Sequence, residues 1–166
     1  MASGPSYGRI RTLVVEDKWL LRRATCKFLS REPRIEVVGA AADGLAALDK
    51  IRTLHPDLVV ADIAMPNMSG LELTFLLRQR FPALRIVVVA VVNDPEIPQL
   101  CGLCGADALV NKALLPTALA TVIRMIFNPG EYDGEDGSAV PEESEELEAE
   151  GAWKLSRRPL SRYPQG

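Results

Sequence analysis

Apolar residues fall in short runs rich in β-branched side chains at 10–15, 35–39, 58–61, 86–92 and 108–110. Runs of this kind, apolar at most positions instead of every second one, predict strands buried on both faces. Between them, apolar positions recur every three or four residues, the period of a helix packed on one side. The first such segment carries Leu21, Ala24, Phe28 and Leu29 on one face, leaves Arg22, Arg23 and Lys27 outside it, and stops at Pro33. The second opens at Asp43-Gly44, packs through Leu45, Leu48 and Ile51, and closes with His55 before Pro56. The third follows Ser69-Gly70, packs through Leu71, Leu73, Phe75 and Leu76, and ends near Pro82. Residues 95–104 hold Pro95, Pro98 and Gly102. Each of these costs about 1 to 3 kcal/mol inside a helix, so a short or irregular helix is expected there. The last helix spans 116–127, with Leu119, Val122, Ile123 and Ile126 inward.

Five strand-then-helix units in succession predict an α/β domain with a doubly wound parallel sheet. Right-handed crossovers place the C-terminal ends of all its strands on one edge, where loops are free to carry chemistry. Four charged residues are delivered to that edge. The first strand ends at Glu16-Asp17, the third at Asp62, and the fifth is followed by Lys112. Three carboxylates in one place repel each other and call for a cation. A hard divalent ion with oxygen ligands, Mg²⁺ above all, answers that need. A lysine beside them suits a phosphate-type anion, so the set has the parts of a phosphoryl-transfer site with Asp62 as nucleophile.

Charge and composition confine the rest. Residues 1–127 carry a net charge of about +3, residues 128–152 about −10 and residues 153–166 about +4. The reading is therefore a short lead at 1–8, a domain at 9–127, an acidic linker at 128–152 and a basic tail at 153–166, read as a disordered end with an interaction peptide as the alternative. No run is long enough to span a membrane and the first residues lack a secretory pattern, so a cytoplasmic location is expected. Cys26, Cys101 and Cys104 are too few for a disulfide framework. The C-x-x-C spacing of Cys101 and Cys104 has no second pair to complete a metal site, and both are read as helix-packing residues. His55 has no predicted acid or nucleophile nearby and is given no catalytic role.

The motifs Glu16-Asp17, Asp43-Gly44, the run from Asp62 to Gly70, Gly105-Ala106-Asp107 and Lys112 resemble the receiver domain of two-component response regulators over residues 9–127. The resemblance implies a flavodoxin-like (βα)5 fold with strand order 2-1-3-4-5. It implies that Asp62 accepts a phosphoryl group from a histidine kinase or phosphotransfer protein within a phosphorelay. Asp17, Asp62 and the Ala64 backbone carbonyl would bind Mg²⁺, Glu16 would assist through water, and Lys112 would pair with the phosphate. Output would pass to a downstream protein partner, and no catalysis on free substrates is expected.

Two positions depart from the family pattern. The fourth strand usually ends in a Thr or Ser whose hydroxyl binds the phosphoryl group, and Ala90 stands there. The fifth usually carries an aromatic that swings inward, and Leu109 stands there. Both halves of the usual relay are missing, so the alternative is a binding or dimerisation module that works without phosphorylation. The surface around Val91, Val92 and Leu109 is a candidate homodimer contact. Ala64 and Val92 replace polar groups that position an attacking water in many relatives, which implies slow hydrolysis of an aspartyl phosphate. Gly130-Glu131-Tyr132 and Leu155-Ser156-Arg157-Arg158 resemble the approach to a helix-turn-helix effector in one subfamily, but no DNA binding is expected of this chain.

Overall fold

The structure, a computed structural model, describes residues 8–128 and, as backbone, 153–155. The elements alternate as the sequence predicts: β1 (Ile10–Val15), α1 (Trp19–Leu29), β2 (Ile35–Ala41), α2 (Gly44–Leu54), β3 (Leu58–Asp62), α3 (Gly70–Arg80), β4 (Arg85–Ala90), α4 (Glu96–Cys104), β5 (Ala108–Asn111) and α5 (Thr117–Phe127). A single 3₁₀ turn, Lys112–Leu114, links β5 to α5. The five strands pair in parallel in the order β2-β1-β3-β4-β5. A last strand, β6 (Trp153–Leu155), pairs antiparallel with β5 and closes the sheet. The expected disordered end at 153–166 does not hold at these three residues, which pair as the alternative of an interacting segment allows. A three-residue strand is too short to announce itself by periodicity, and its formation depends on an open edge elsewhere in the chain. Residues 1–7 of the expected lead (1–8), residues 129–152 of the expected acidic linker (128–152) and the remainder of the tail lie outside the described residues.

Alternation along the strands divides the core in two. Val14, Val60, Val87, Val89 and Val110 face α1 and α5, in a layer with Leu29, Leu119, Val122, Ile123 and Ile126. Leu13, Val15, Val59, Ala61, Ile86, Val88 and Leu109 face the other way, against Leu48, Ile51, Leu73, Leu77 and Cys101 from α2, α3 and α4. The near-continuous apolar strands follow from this double coverage.

Helix ends are set by local chemistry. Asp43 caps α2 by accepting from the Ala46 N–H at 2.8 Å, and His55 closes it in the left-handed region at φ 48°. Ser69 and Glu72 form a reciprocal capping box at α3. α4, at nine residues, is the shortest of the five α-helices among the described residues, in line with the short helix that its prolines and glycine predict. Pro95 is its N-cap and Pro98 lies in its first turn, where backbone N–H groups have no helical partner to lose. Gly105, at φ 93°, ends it.

The packing faces differ from the periodic reading at three helices. On α1 only Leu29 is fully buried, and Leu21 and Ala24 are exposed. On α2, Ala47 joins Leu48 and Ile51 in the core while Leu45 is exposed. On α3 the buried stripe is Leu73, Thr74 and Leu77, with Phe75 half exposed. On each of these helices apolar positions near the stripe are exposed, two on α1 and one each on α2 and α3, because periodicity does not fix the angle at which a helix meets the sheet. The expected inward face of α5 is all buried.

Asp107 ties α3, β4 and the α4–β5 turn together. It is buried and accepts hydrogen bonds from Arg78 Nη2 at 2.8 Å, Arg85 Nη1 at 3.1 Å and the Ile86 N–H at 2.8 Å. Arg78 also donates to the carbonyls of Pro82, Leu84 and Gly105. Removing the acid would leave two largely buried guanidinium groups without their anion. Asp107→Ala is therefore expected to lower unfolding free energy by about 3–5 kcal/mol, measured by urea denaturation. A loss below about 1 kcal/mol would show that the network relaxes onto water.

Candidate phosphoacceptor site

The loop after β3 is fixed by its own backbone. The Ile63 N–H donates to Val89 O at 2.9 Å, Gly70 N–H to Ile63 O at 3.0 Å and Met68 N–H to Pro66 O at 2.8 Å, while Asn67 takes a positive φ of 67°. Gly70 permits this closure, since a Cβ there would lie 2.3 Å from the Asp62 carbonyl oxygen. The strained loop therefore holds Asp62 at the sheet edge with its side chain only 3% exposed.

Around Asp62 the structure assembles the four charged residues that the strand ends suggested. Lys112 Nζ lies 2.8 Å from Asp62 Oδ2 and 3.2 Å from Glu16 Oε2. Glu16 Oε1 accepts from the Lys18 N–H at 3.1 Å, and Asp62 Oδ1 lies 3.4 Å from the Ala64 N–H. Oxygens of Glu16, Asp17 and Asp62 all lie within 4.8 Å of one another. Among the described residues, Asp17 Oδ1 is a buried side-chain polar atom with no hydrogen-bond partner. One lysine for three acids, with a carboxylate oxygen left bare, is a donor set that fits a hard divalent cation.

Burial, the Asp62 charge and the neighbouring Asp17 carboxyl push the Glu16 carboxyl above its ordinary value of 4.5, against the lowering effect of the Lys18 N–H and Lys112. For Lys112, burial pulls downward, but Asp62 and Glu16 together outweigh it and hold the ammonium above 10.5. A cleft of about 340 Å³ lies between α1 and α5, floored by Val14, Val60 and Val89 and opening onto Glu16, Asp62 and Lys112. Its apolar walls limit solvent screening of the charges at its mouth.

The sequence reading missed Arg22 as a supporting residue. Instead of standing outside the helix, it folds back and donates to the carbonyls of Glu16 at 2.7 Å and Asp17 at 3.2 Å, pinning the turn that carries both acids. The signal available was a basic residue five positions after an acidic turn, which is common on exposed helices and says little alone. Ala90 closes β4, fully buried, and Leu109 is 4% exposed in the same core layer. His55 is exposed at the opposite end of the sheet's third strand and takes no part in the site. Cys101 is buried on α4, and burial pushes its thiol up to about 11, so it is a poor nucleophile. No helix among the described residues is long and apolar enough to cross a membrane.

Comparison with known proteins places this geometry in a family. Residues 12–124 match the response regulator receiver domain, and the chain belongs to that family of two-component signalling proteins. It is 42% identical over 113 residues to protein-glutamate methylesterase/protein-glutamine glutaminase 5 of Myxococcus xanthus, covering 68% of this chain and 32% of that protein. It is 33% identical to the response regulator GacA of Pseudomonas viridiflava, over 74% of this chain and 58% of that one. Among solved structures it is similar to a two-component response regulator of the LuxR family from Aurantimonas, at 29% identity and a TM-score of 0.69, covering 74% of this chain and 87% of that one. The chain thus spans between a third and three-fifths of the length of these curated relatives.

Without a divalent ion, the ionised Glu16 carboxylate opposes folding, since a raised folded pKa means that the folded protein binds the proton more tightly. That contribution to stability is present below the ordinary value of 4.5 and is lost as pH rises through the raised one. Glu16→Gln keeps an acceptor and removes the charge. It is expected to be more stable than the parent by about 1 kcal/mol at pH 7 in chelator, with the difference vanishing in acid. Thermal melts at pH 7 and pH 4 check this, and equal melting temperatures at pH 7 would refute it.

Proposed function

We propose that this receiver accepts a phosphoryl group on Asp62 from the phosphohistidine of a kinase or phosphotransfer protein and signals to a downstream protein partner. The observation that carries the reading is the buried Asp62 carboxylate bonded to Lys112 and set beside the bare oxygen of Asp17. In the transfer, the donor's phosphorus–nitrogen bond breaks, an oxygen of Asp62 bonds to phosphorus, and the freed imidazole takes up a proton from solvent. Lys112, released from Asp62 Oδ2 as that carboxylate loses its charge, is placed to pair with the phosphoryl oxygens. Asp17 and Asp62 with the Ala64 carbonyl would hold Mg²⁺, with Glu16 assisting through water. When bound, the ion neutralises charge that builds on the phosphoryl group.

A second reading is favoured by Ala90 and Leu109. A hydroxyl at position 90 would have bonded the phosphoryl group for about 1.5–3 kcal/mol, comparable with the whole of a typical allosteric coupling of about 1–3 kcal/mol. Leu109 is already packed inward and has no polar end to exchange between core and solvent. A binding or dimerisation module that never uses the phosphate would carry these residues equally well.

Labelling separates the two readings. Incubation with a small phosphodonor and Mg²⁺ is expected to give an acid-stable, base-labile phosphate on the parent chain and none on Asp62→Ala, read by intact mass. No label on the parent would favour the phosphorylation-independent module.

The lifetime of the label is a further expectation. Ala64 and Val92 stand at loop positions where many family members carry polar side chains, and neither can orient an attacking water. After donor removal the phosphate should persist for minutes or longer, and decay within seconds would contradict this account.

A further inference from the structure

The parallel part of the sheet ends at β5, which spends one edge on β4 from Ala108 to Asn111. Backbone groups alternate in direction along a strand, so half of the N–H and C=O groups of β5 point away from β4. No other strand from residues 8–128 lies on that side. An open edge of this kind, on a strand whose Ala108, Leu109 and Val110 are all buried in the core, is a template for another extended chain. Trp153–Leu155 takes that place, with Leu155 opposite Ala108, Lys154 opposite Leu109 and Trp153 opposite Val110.

The direction of this pairing is informative. Every other pair in the sheet is parallel, as successive strand–helix units require, and β6 alone runs antiparallel. It therefore joins as a separate segment and not as a sixth unit of the fold. Residues 129–152 lie between α5 and β6, and at roughly 3.3 Å per residue they could reach about 80 Å if extended. Reach places no restriction on where the segment docks. The sheet has two outer edges, and β5 is the flat apolar one, with Ala108, Leu109 and Val110 buried, whereas β2 carries exposed Glu36 and a register shift against β1. The covalent tether raises the local concentration of the segment to about the millimolar range, which a free peptide must match.

We infer that the outer edge of β5 is a docking surface for an extended strand, and that residues 153–155 of the same chain are its resident, displaceable occupant. Bound there, the segment satisfies the outward backbone groups of β5 and denies the edge to a strand from any other molecule. Because β5 ends one residue before Lys112, it also braces the strand that carries the lysine of the acidic site. The inference stands on backbone pairing and holds whether or not Asp62 is phosphorylated.

The test is residue-resolved amide exchange on the full chain. In an antiparallel pair, successive residues of one strand point their N–H groups to opposite sides. Either Lys154, or Trp153 and Leu155 together, must then face β5. Lys154→Pro and the double change Trp153→Pro with Leu155→Pro remove these two sets of donors separately. In the parent, the outward amides of β5 should be protected to the same degree at all protein concentrations. In at least one proline variant they should exchange at least about tenfold faster, while the amides of Leu13 and Val15 in β1 keep their protection and show that the domain is folded. A synthetic peptide of residues 150–160 added to that variant should restore protection. Unchanged β5 exchange in both variants, or no effect of the peptide, would overturn the inference. Protection that falls on dilution of the parent would also overturn it, by assigning the strand to a second copy.

Discussion

The bond between Lys112 and Asp62 spans the end of β4, joining residues delivered by β3 and β5, two strands that do not touch each other. Its existence depends on strand order. Only with β4 inserted between β3 and β5, and with all strand ends on one edge, does a residue fifty positions further along the chain reach the carboxylate. The pair also explains how three acids can share a buried edge, since the single ammonium bonds two of them and leaves the third with a bare oxygen. A core of apolar strands places the charges, and the charges then leave the edge short of one cation.

That constraint reaches into the loops. Gly70 has no room for a Cβ because α3 must start against the Asp62 carbonyl, and Arg22 folds back because the Glu16-Asp17 turn offers two carbonyls with no strand to bond. The cleft between α1 and α5 follows from the same arrangement. α1 is held by Leu29 with the partly buried Cys26 and Phe28 in its C-terminal half and by Arg22 near its start, and it leaves Leu21 and Ala24 exposed beside the acids. Support for the site thus comes partly from polar contacts to main chain, which are tight in geometry but bury little apolar surface.

Much of this was legible in the sequence for physical reasons. Strands covered on both faces must be apolar at most positions, and helices between them must be apolar on one stripe, so element order and the edge bearing Glu16, Asp17, Asp62 and Lys112 could be read directly. What could not be read depends on contacts between distant residues. Asp107 was visible only as part of a motif, and nothing local shows that Arg78 and Arg85 converge on it. Phe75 and Leu45 are apolar and lie near the right stripe, yet the angle at which a helix meets the sheet decides which neighbour is buried. β6 is defined by the edge it completes, and its three residues carry no signal by themselves.

Ala90 and Leu109 bear on how such a domain could respond to events at Asp62. Both lie in the layer shared with α3 and α4, whereas the parity of β1 and β3 sets Glu16 and Asp62 toward α1 and α5. A change at the carboxylate must therefore cross the sheet to reach α4, and the side chains at 90 and 109 offer no polar group to carry it. Lys112 remains the direct link, because it answers to Asp62 at one end and is continuous with β5 at the other. Lys112 follows directly on a four-residue strand whose outer edge holds β6, so β5 is the element that joins the acidic site to that edge of the sheet.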